Sequence, residues 1–164
     1  MSKNKKIFLD TSALIPLLTS SHPNHSIVKR HLGDFSHFYI DSTVLAEFLA
    51  GIEPSMHWDC TKKLGQQFQI GTLSPEGSAI MAKIYQICKR KGIVPKSRTE
   101  HQVIKVDMFI LASAIESKVN TFLFADGNFT LIQSAIANEE LGYSLPEFTK
   151  VSEIQKELFD EISC

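Results

Sequence analysis

The chain has 164 residues, 43% of them hydrophobic, with 17 Lys and Arg against 18 Asp and Glu for a formal net charge of −1. That length and apolar content suit one compact domain, 1–164, whose core needs no disulfide or metal staple. The near-neutral balance advertises neither a nucleic acid nor a membrane partner, so any basic surface must be local.

Cys60, Cys88 and Cys164 have no CxxC spacing, which argues against a disulfide framework or zinc site and for a reducing, cytoplasmic setting. No apolar run approaches the roughly 20 residues that cross a bilayer. The stretch after MSKNKK meets Asp10 after three residues, too soon for the core of a secretory leader.

In chain order, Lys5 to Leu9 is an apolar run of strand length, and Leu14, Leu17 and Leu18 recur at helical spacing, so the first unit reads strand, turn, helix. Pro23 is placed to open a second helix through Ile27, Val28 and Leu32, and HFYI at 37–40 predicts a second strand. Asp41, Ser42 and Thr43 supply cap chemistry for a helix with the face Val44, Leu45, Phe48, Leu49 and Ile52, which Gly51 and Pro54 stop. Trp58 to Phe68 reads as helix and FQIGTL as an extended connection. Ser74-Pro75-Glu76 then gives a cap, a first-turn proline and a first-turn acid for a long helix to about Lys91.

From Gly92 to Lys105 the pattern lapses, and GIVPKSRTEHQVIK is expected to be a loop. VDMFILASAI resumes as a nearly all-apolar helix, TFLFA at 121–125 predicts a buried strand, and FTLIQSAI carries a further helix. An amphipathic segment from Val151 to Ile162 closes the chain. There is no internal repeat or low-complexity tract. Alternating strands and helices predict an α/β domain with a mostly parallel sheet covered on both faces, and ligands of such sheets bind beyond the carboxyl ends of the strands.

Asp10, Asp41 and Asp126 all follow predicted strands and so belong at that edge. Ordinary capping and turn chemistry explains Asp10 and Asp126 individually. Asp107 is harder to dismiss: helical spacing puts it on the stripe of Ile110, Leu111 and Ala114, opposite Ser113 and Glu116, where an unpaired charge is expensive. Glu47 lies on the flank of its helix, where a solvated glutamate is the default. Asp10, Glu47, Asp107 and Asp126 together are another matter. Gathered at one edge they would repel and raise one another's pKa unless a cation neutralised them. Oxygen-only donors suit Mg²⁺ or Mn²⁺, which can lower the pKa of a bound water and stabilise a phosphodiester cleavage.

The stretches FLDTSALI, VLAEFLAG, VDMFILASAI and FLFADGNF, spanning Phe8 to Phe129 in this order, resemble the PIN-domain family, and more closely the VapC-type toxins of toxin–antitoxin pairs. The resemblance implies a PIN-like three-layer sandwich and an acidic Mg²⁺ or Mn²⁺ site that cuts RNA endonucleolytically. Asp10, Glu47, Asp107 and Asp126 would be its acids, with Asp10, Asp107 and Asp126 as metal ligands. Ser12 matches a supporting hydroxyl. The same resemblance implies a cognate antitoxin and a homodimer. Two departures stand out: Ala125 replaces a Ser or Thr common before the last motif Asp, and Asn128 replaces a further Asp. Asn offers an oxygen but no charge, so weaker metal binding is expected and a second metal loses support. The chain is also longer than a compact family toxin, with the excess between Glu53 and His101.

RNA approaching an acidic site needs local cations, and Lys89, Arg90, Lys91, Lys96, Arg98 and His101 lie shortly before Asp107. Lys96 and Arg98 are the candidate phosphate contacts; the ordinary alternative is a solvated loop. The six histidines lack ligand spacing, and Trp58 and the 11 phenylalanines read as core. Two rivals stay open: an inactive PIN-like scaffold that binds RNA or protein, and an aspartyl-phosphate phosphatase. The second acid of an acid-x-acid motif is absent at Ser12.

Overall fold

The computed structural model describes residues 4–154. Its centre is a five-stranded, all-parallel sheet in the order β3-β2-β1-β4-β5, built from β1 (Lys6–Leu9), β2 (His37–Asp41), β3 (Gln69–Gly71), β4 (Thr121–Phe124) and β5 (Glu147–Lys150). Parallel strands need crossovers. These are α1 (Thr11–Leu18) and α2 (His25–Leu32), then α3 (Ser42–Ala50), a 3₁₀ turn at Pro54–Met56 and α4 (His57–Gln67), then α5 (Pro75–Arg90) and α6 (Arg98–Glu116), and last α7 (Gly127–Ile136). The expected α/β sandwich with helices on both faces is therefore present.

The central strands are buried from both sides. Ile7, Phe8 and Leu9 of β1 and Phe122, Leu123 and Phe124 of β4 are all at most 2% exposed, and the rings of Phe122 and Phe129 meet edge to face at 4.9 Å. A strand covered on both faces must be apolar at every position, which is why these two runs carry no alternation. The chain lays down β1, β2 and β3 in one direction, then returns across the sheet to place β4 on the other flank of β1. The strand order thus reverses between β1 and β4, and beyond their carboxyl ends lies the crevice where open α/β sheets bind ligands.

α6, which carries Asp107, packs chiefly against α5. Glu116 at its end accepts from the Ser74 hydroxyl and, at 3.2 Å each, from the Ser74 and Gly77 amides. A Cβ at Gly77 would run into the Glu116 carboxylate and the Leu73 side chain, so the close approach of the two helices requires glycine there. Ser74 itself caps α5 as its sequence predicts, accepting from the Glu76 and Gly77 amides.

Several expectations need correction. FQIGTL is not only a connection, because Gln69–Gly71 pairs with β2 as a ladder strand. The segment expected as a loop from Gly92 to Lys105 is helical from Arg98 onward. In those first turns only Ile104 is buried and His101 half-buried, while Ser97 makes no side-chain capping bond, so neither period nor cap marks the start. β5 is a further strand without a sequence signal. Ser113, expected opposite the core, is 2% exposed. The predicted closing segment from Val151 to Ile162 begins with a helical turn at 151–154, and its remainder lies outside the described residues. Among the described residues no helix is long and apolar enough to cross a membrane.

Candidate acidic site

Three of the strand-to-helix junctions share one construction. Asp10 and Asp126 follow a strand and Asp41 ends one; all three have extended backbone, occupy the N-cap of the next helix, and accept the amide two residues on, from Ser12, Thr43 and Asn128 respectively. The cap satisfies amides that the helix cannot, and the strand end fixes where the carboxylate sits. Asp10 also continues the ladder of β1 through its own amide, donated to the Leu123 carbonyl at 3.0 Å.

The side chains at the second position extend this into a network. The Ser12 hydroxyl donates to Asp10 Oδ2, and its oxygen accepts from the Ala125 amide at 2.8 Å and the Asp126 amide at 3.3 Å. Asn128 gives its amide to Asp126 Oδ1 at 2.7 Å and its side-chain Nδ2 to Asp107 Oδ2 at 2.9 Å. On the other flank Thr11 Oγ1 donates to Glu47 Oε2 at 2.5 Å. Asp10, Glu47, Asp107 and Asp126, which come from α1, α3, α6 and α7 and their caps, are joined through Thr11, Ser12 and Asn128 at one end of the sheet.

Their environments differ. Asp10 and Asp107 are 4% and 8% exposed, whereas Glu47 and Asp126 face solvent. Burial pushes Asp107 up to about 7; the Asn128 hydrogen bond opposes this, and the charges of Asp126, Asp10 and Glu47 add to it. Asp10 is raised too, first by burial and in lesser part by Glu47, against the hydrogen bonds from Ser12 and Thr11. These couplings place the four acids within one another's fields.

Among the described residues, no three His, Cys, Asp or Glu side chains converge tightly enough to hold a metal by themselves. The donors that are present fit a hard divalent cation held by one or two carboxylates with water and substrate completing its shell, the usual arrangement for Mg²⁺. Two buried carboxylates with raised pKa, surrounded by two more, are a set that a cation would relieve.

Two contributors were not nominated as site residues from sequence. Asp41 is 1% exposed, with Oδ1 accepting from Thr43 and Val44; burial raises its pKa, the hydrogen bonds from Val44, Thr43 and Ser113 oppose the rise, and the charge of Glu47 adds to it. The strand-Asp-hydroxyl pattern it shares with Asp10 was the signal. Thr11 left no signal, because its partner Glu47 is 36 positions away. Lys96 is exposed in the loop before α6 and Arg98 is exposed at the first position of that helix, and neither forms an ion pair among the described residues. Arg90 and Lys91, from the same basic run, instead pair with Glu139 at 2.6 and 2.9 Å.

The family model for the PIN domain matches residues 7–135, which takes in all of these acids. The chain belongs to the PIN-domain family. Solved structures agree in fold. FitAcB from Neisseria gonorrhoeae is 17% identical with a TM-score of 0.59, covering 89% of this chain and 98% of that one. VapBC2 from Rickettsia felis, bound to a fragment of its promoter DNA, is 14% identical at 0.58, covering 88% and 98%. VapC20 from Mycobacterium tuberculosis, a toxin that cleaves the sarcin–ricin loop, is 16% identical at 0.54, covering 76% and 92%. No curated protein sequence matches the chain. At these identities the likeness to the solved PIN proteins is one of fold.

Proposed function

We propose that this PIN domain, a single unit over 1–164, is a Mg²⁺- or Mn²⁺-dependent endoribonuclease and the toxin of a toxin–antitoxin pair. The observation that carries the reading is the hydrogen-bonded gathering of Asp10, Glu47, Asp107 and Asp126 at the carboxyl ends of β1 and β4. Family membership supports nuclease chemistry, and neighbours that are toxin–antitoxin complexes support a cognate antitoxin as partner. RNA as substrate, a homodimer and a cytoplasmic setting belong to the same proposal.

Asp10, Asp107 and Asp126 are the residues that would hold the cation, which when bound supplies charge to neutralise the phosphate and an acidified water for attack. The chain's own groups do the rest. Ser12 holds Asp10 and the turn of Asp126 in one register. Asn128 orients Asp107, and Thr11 holds Glu47 toward the same edge, where its carboxylate can accept a proton from an attacking water. Exposed Lys96 and Arg98 would draw phosphates toward an otherwise repulsive site.

A second reading has one observation in its favour. Asn128 already occupies one oxygen of Asp107, and among the described residues no three acids converge tightly enough to hold a metal by themselves, as a silent scaffold would allow. The two readings part on a single assay: RNA incubated with Mg²⁺ or Mn²⁺, with chelator, and with Asp107→Asn of unchanged circular dichroism. The nuclease reading expects cleavage only in the first. Cutting that survives chelator or the substitution sinks it, and binding without cutting leaves the scaffold.

A further inference from the structure

Beside the acidic site lies a cavity of about 390 Å³ between the start of α6 and α7, within the roughly 300–1,000 Å³ of small-molecule sites. We propose that it is a subsite for one unpaired nucleobase of the RNA and that it favours a base carrying an exocyclic amino group. This rests on the ribonuclease reading of the neighbouring acids.

Continuity with that site is the first argument. Asn128 is part of the cavity lining, and its Nδ2 donates to Asp107 Oδ2 at 2.9 Å. A nucleotide whose phosphate met the acids would have its base within reach of this opening. The second argument is the lining. Ile93, Val103 and Leu131 offer apolar surface, with Val103 49% and Leu131 52% exposed. Exposed aliphatic side chains around a concavity can receive the two faces of a splayed-out base. The third is charge. Lys96 follows the lining residue Pro95 and Arg98 precedes Thr99, so the chain that forms one wall also carries two cations for the adjoining phosphates.

The polar part of the lining supplies the preference. Ionised Glu100 can only accept; Asn128, with one Nδ2 hydrogen given to Asp107, keeps its carbonyl oxygen and one N–H, and Thr99 can act either way, so the one charged group of the edge is an acceptor. Such an edge rewards a donor. Adenine, cytosine and guanine each present an amino group, whereas the one base donor of uracil, N3–H, is flanked by two carbonyl oxygens that the Glu100 carboxylate would repel.

The test is fluorescence anisotropy of short labelled oligo-A, oligo-C and oligo-U with the intact protein in chelator at low salt, where no cutting intervenes. Oligo-A or oligo-C is expected to bind about tenfold more tightly than oligo-U, the worth of one charge-assisted hydrogen bond. Leu131→Trp, at a half-exposed position that leaves the core alone, should fill the cavity and bring all three to the level of oligo-U. Glu100→Gln should narrow the gap without closing the cavity. Equal binding of the three oligomers by the native protein overturns the proposal. Discrimination that persists in Leu131→Trp also overturns it and leaves the cavity to a protein partner. Discrimination without metal-dependent cleavage upholds the subsite and refutes the ribonuclease reading; cleavage without discrimination does the reverse.

Discussion

The β1–α1 and β4–α7 junctions are built alike and behave differently. Each is a buried strand, an Asp at the N-cap and a polar residue two places on whose amide the Asp accepts. At the first, the carboxylate is 4% exposed and its partner is the small hydroxyl of Ser12, which reaches across to the amides of the other junction. At the second, Asp126 is exposed and its partner is Asn128, which reaches away from its own cap to Asp107. The cap geometry is common property of the fold; the second residue decides what each acid is connected to. Ser12 fixes Asp10 in place while burial makes it costly to ionise, whereas Asp126 stays accessible.

The sharpest way to break this comparison is to neutralise each acid in turn. Asp10→Asn keeps the cap and removes the charge, and it should reduce metal-dependent RNA cleavage by about a hundredfold or more, with Asp126→Asn losing about tenfold, measured as kcat/KM on one oligonucleotide. Equal losses would show that burial does not separate the two.

Ser12→Ala comes next. It strands the Ala125 and Asp126 amides and leaves Asp10 Oδ2 with the backbone amide of residue 12 alone, at a cost of about 1–3 kcal/mol in urea unfolding. A matched Thr at position 12 should recover most of it.

The metal-free protein should also report the cost of the buried acids through pH. Burial lifts Asp107 from the ordinary 3.8 to about 7, so between those values the folded state keeps a proton that the unfolded chain has released. Stability in chelator is therefore greatest at the acid end of this window, falls as pH rises toward 7, and levels off above it. Asp10, shifted in the same direction, adds to the slope. Thermal unfolding of Asp107→Asn should be flatter across the window and higher at neutral pH.

Asn128→Asp removes the amide that opposes the rise at Asp107 and adds a charge. Mn²⁺ affinity by calorimetry should increase by about tenfold, a single added carboxylate being enough for that, while the chelated protein loses stability at neutral pH. The smallest effect belongs to Asp41→Asn. Asn caps a helix about as well as Asp, so cleavage should change by no more than about twofold, and melting should rise slightly as a buried charge facing Glu47 disappears.

The contrast between junctions also explains what could be read in advance. β1 and β4 are legible because a strand buried on both faces must be apolar throughout, and the helices after them because capping residues announce themselves. β3 and β5, at the rims of the sheet and only partly covered, need no such composition; nothing in Gln69–Gly71 or Glu147–Lys150 marks a strand until a neighbour supplies the ladder. The first turns of α6 failed for the same reason, being half uncovered and without a side-chain cap. Asp107 was legible as a charge on an apolar stripe, and Glu47 was not legible from periodicity, since its connection to Thr11 exists only through space.

By itself, then, the order of residues determined the central strands, the caps that follow them and the positions of Asp10, Asp107 and Asp126 within their elements, because each depends on neighbours a few positions away. Tertiary structure alone decided that Ser12 joins two junctions, that Asn128 reaches Asp107, and that a cavity opens beside them. Those contacts join segments up to 114 positions apart, and no local spacing encodes where a folded sheet will bring such segments together.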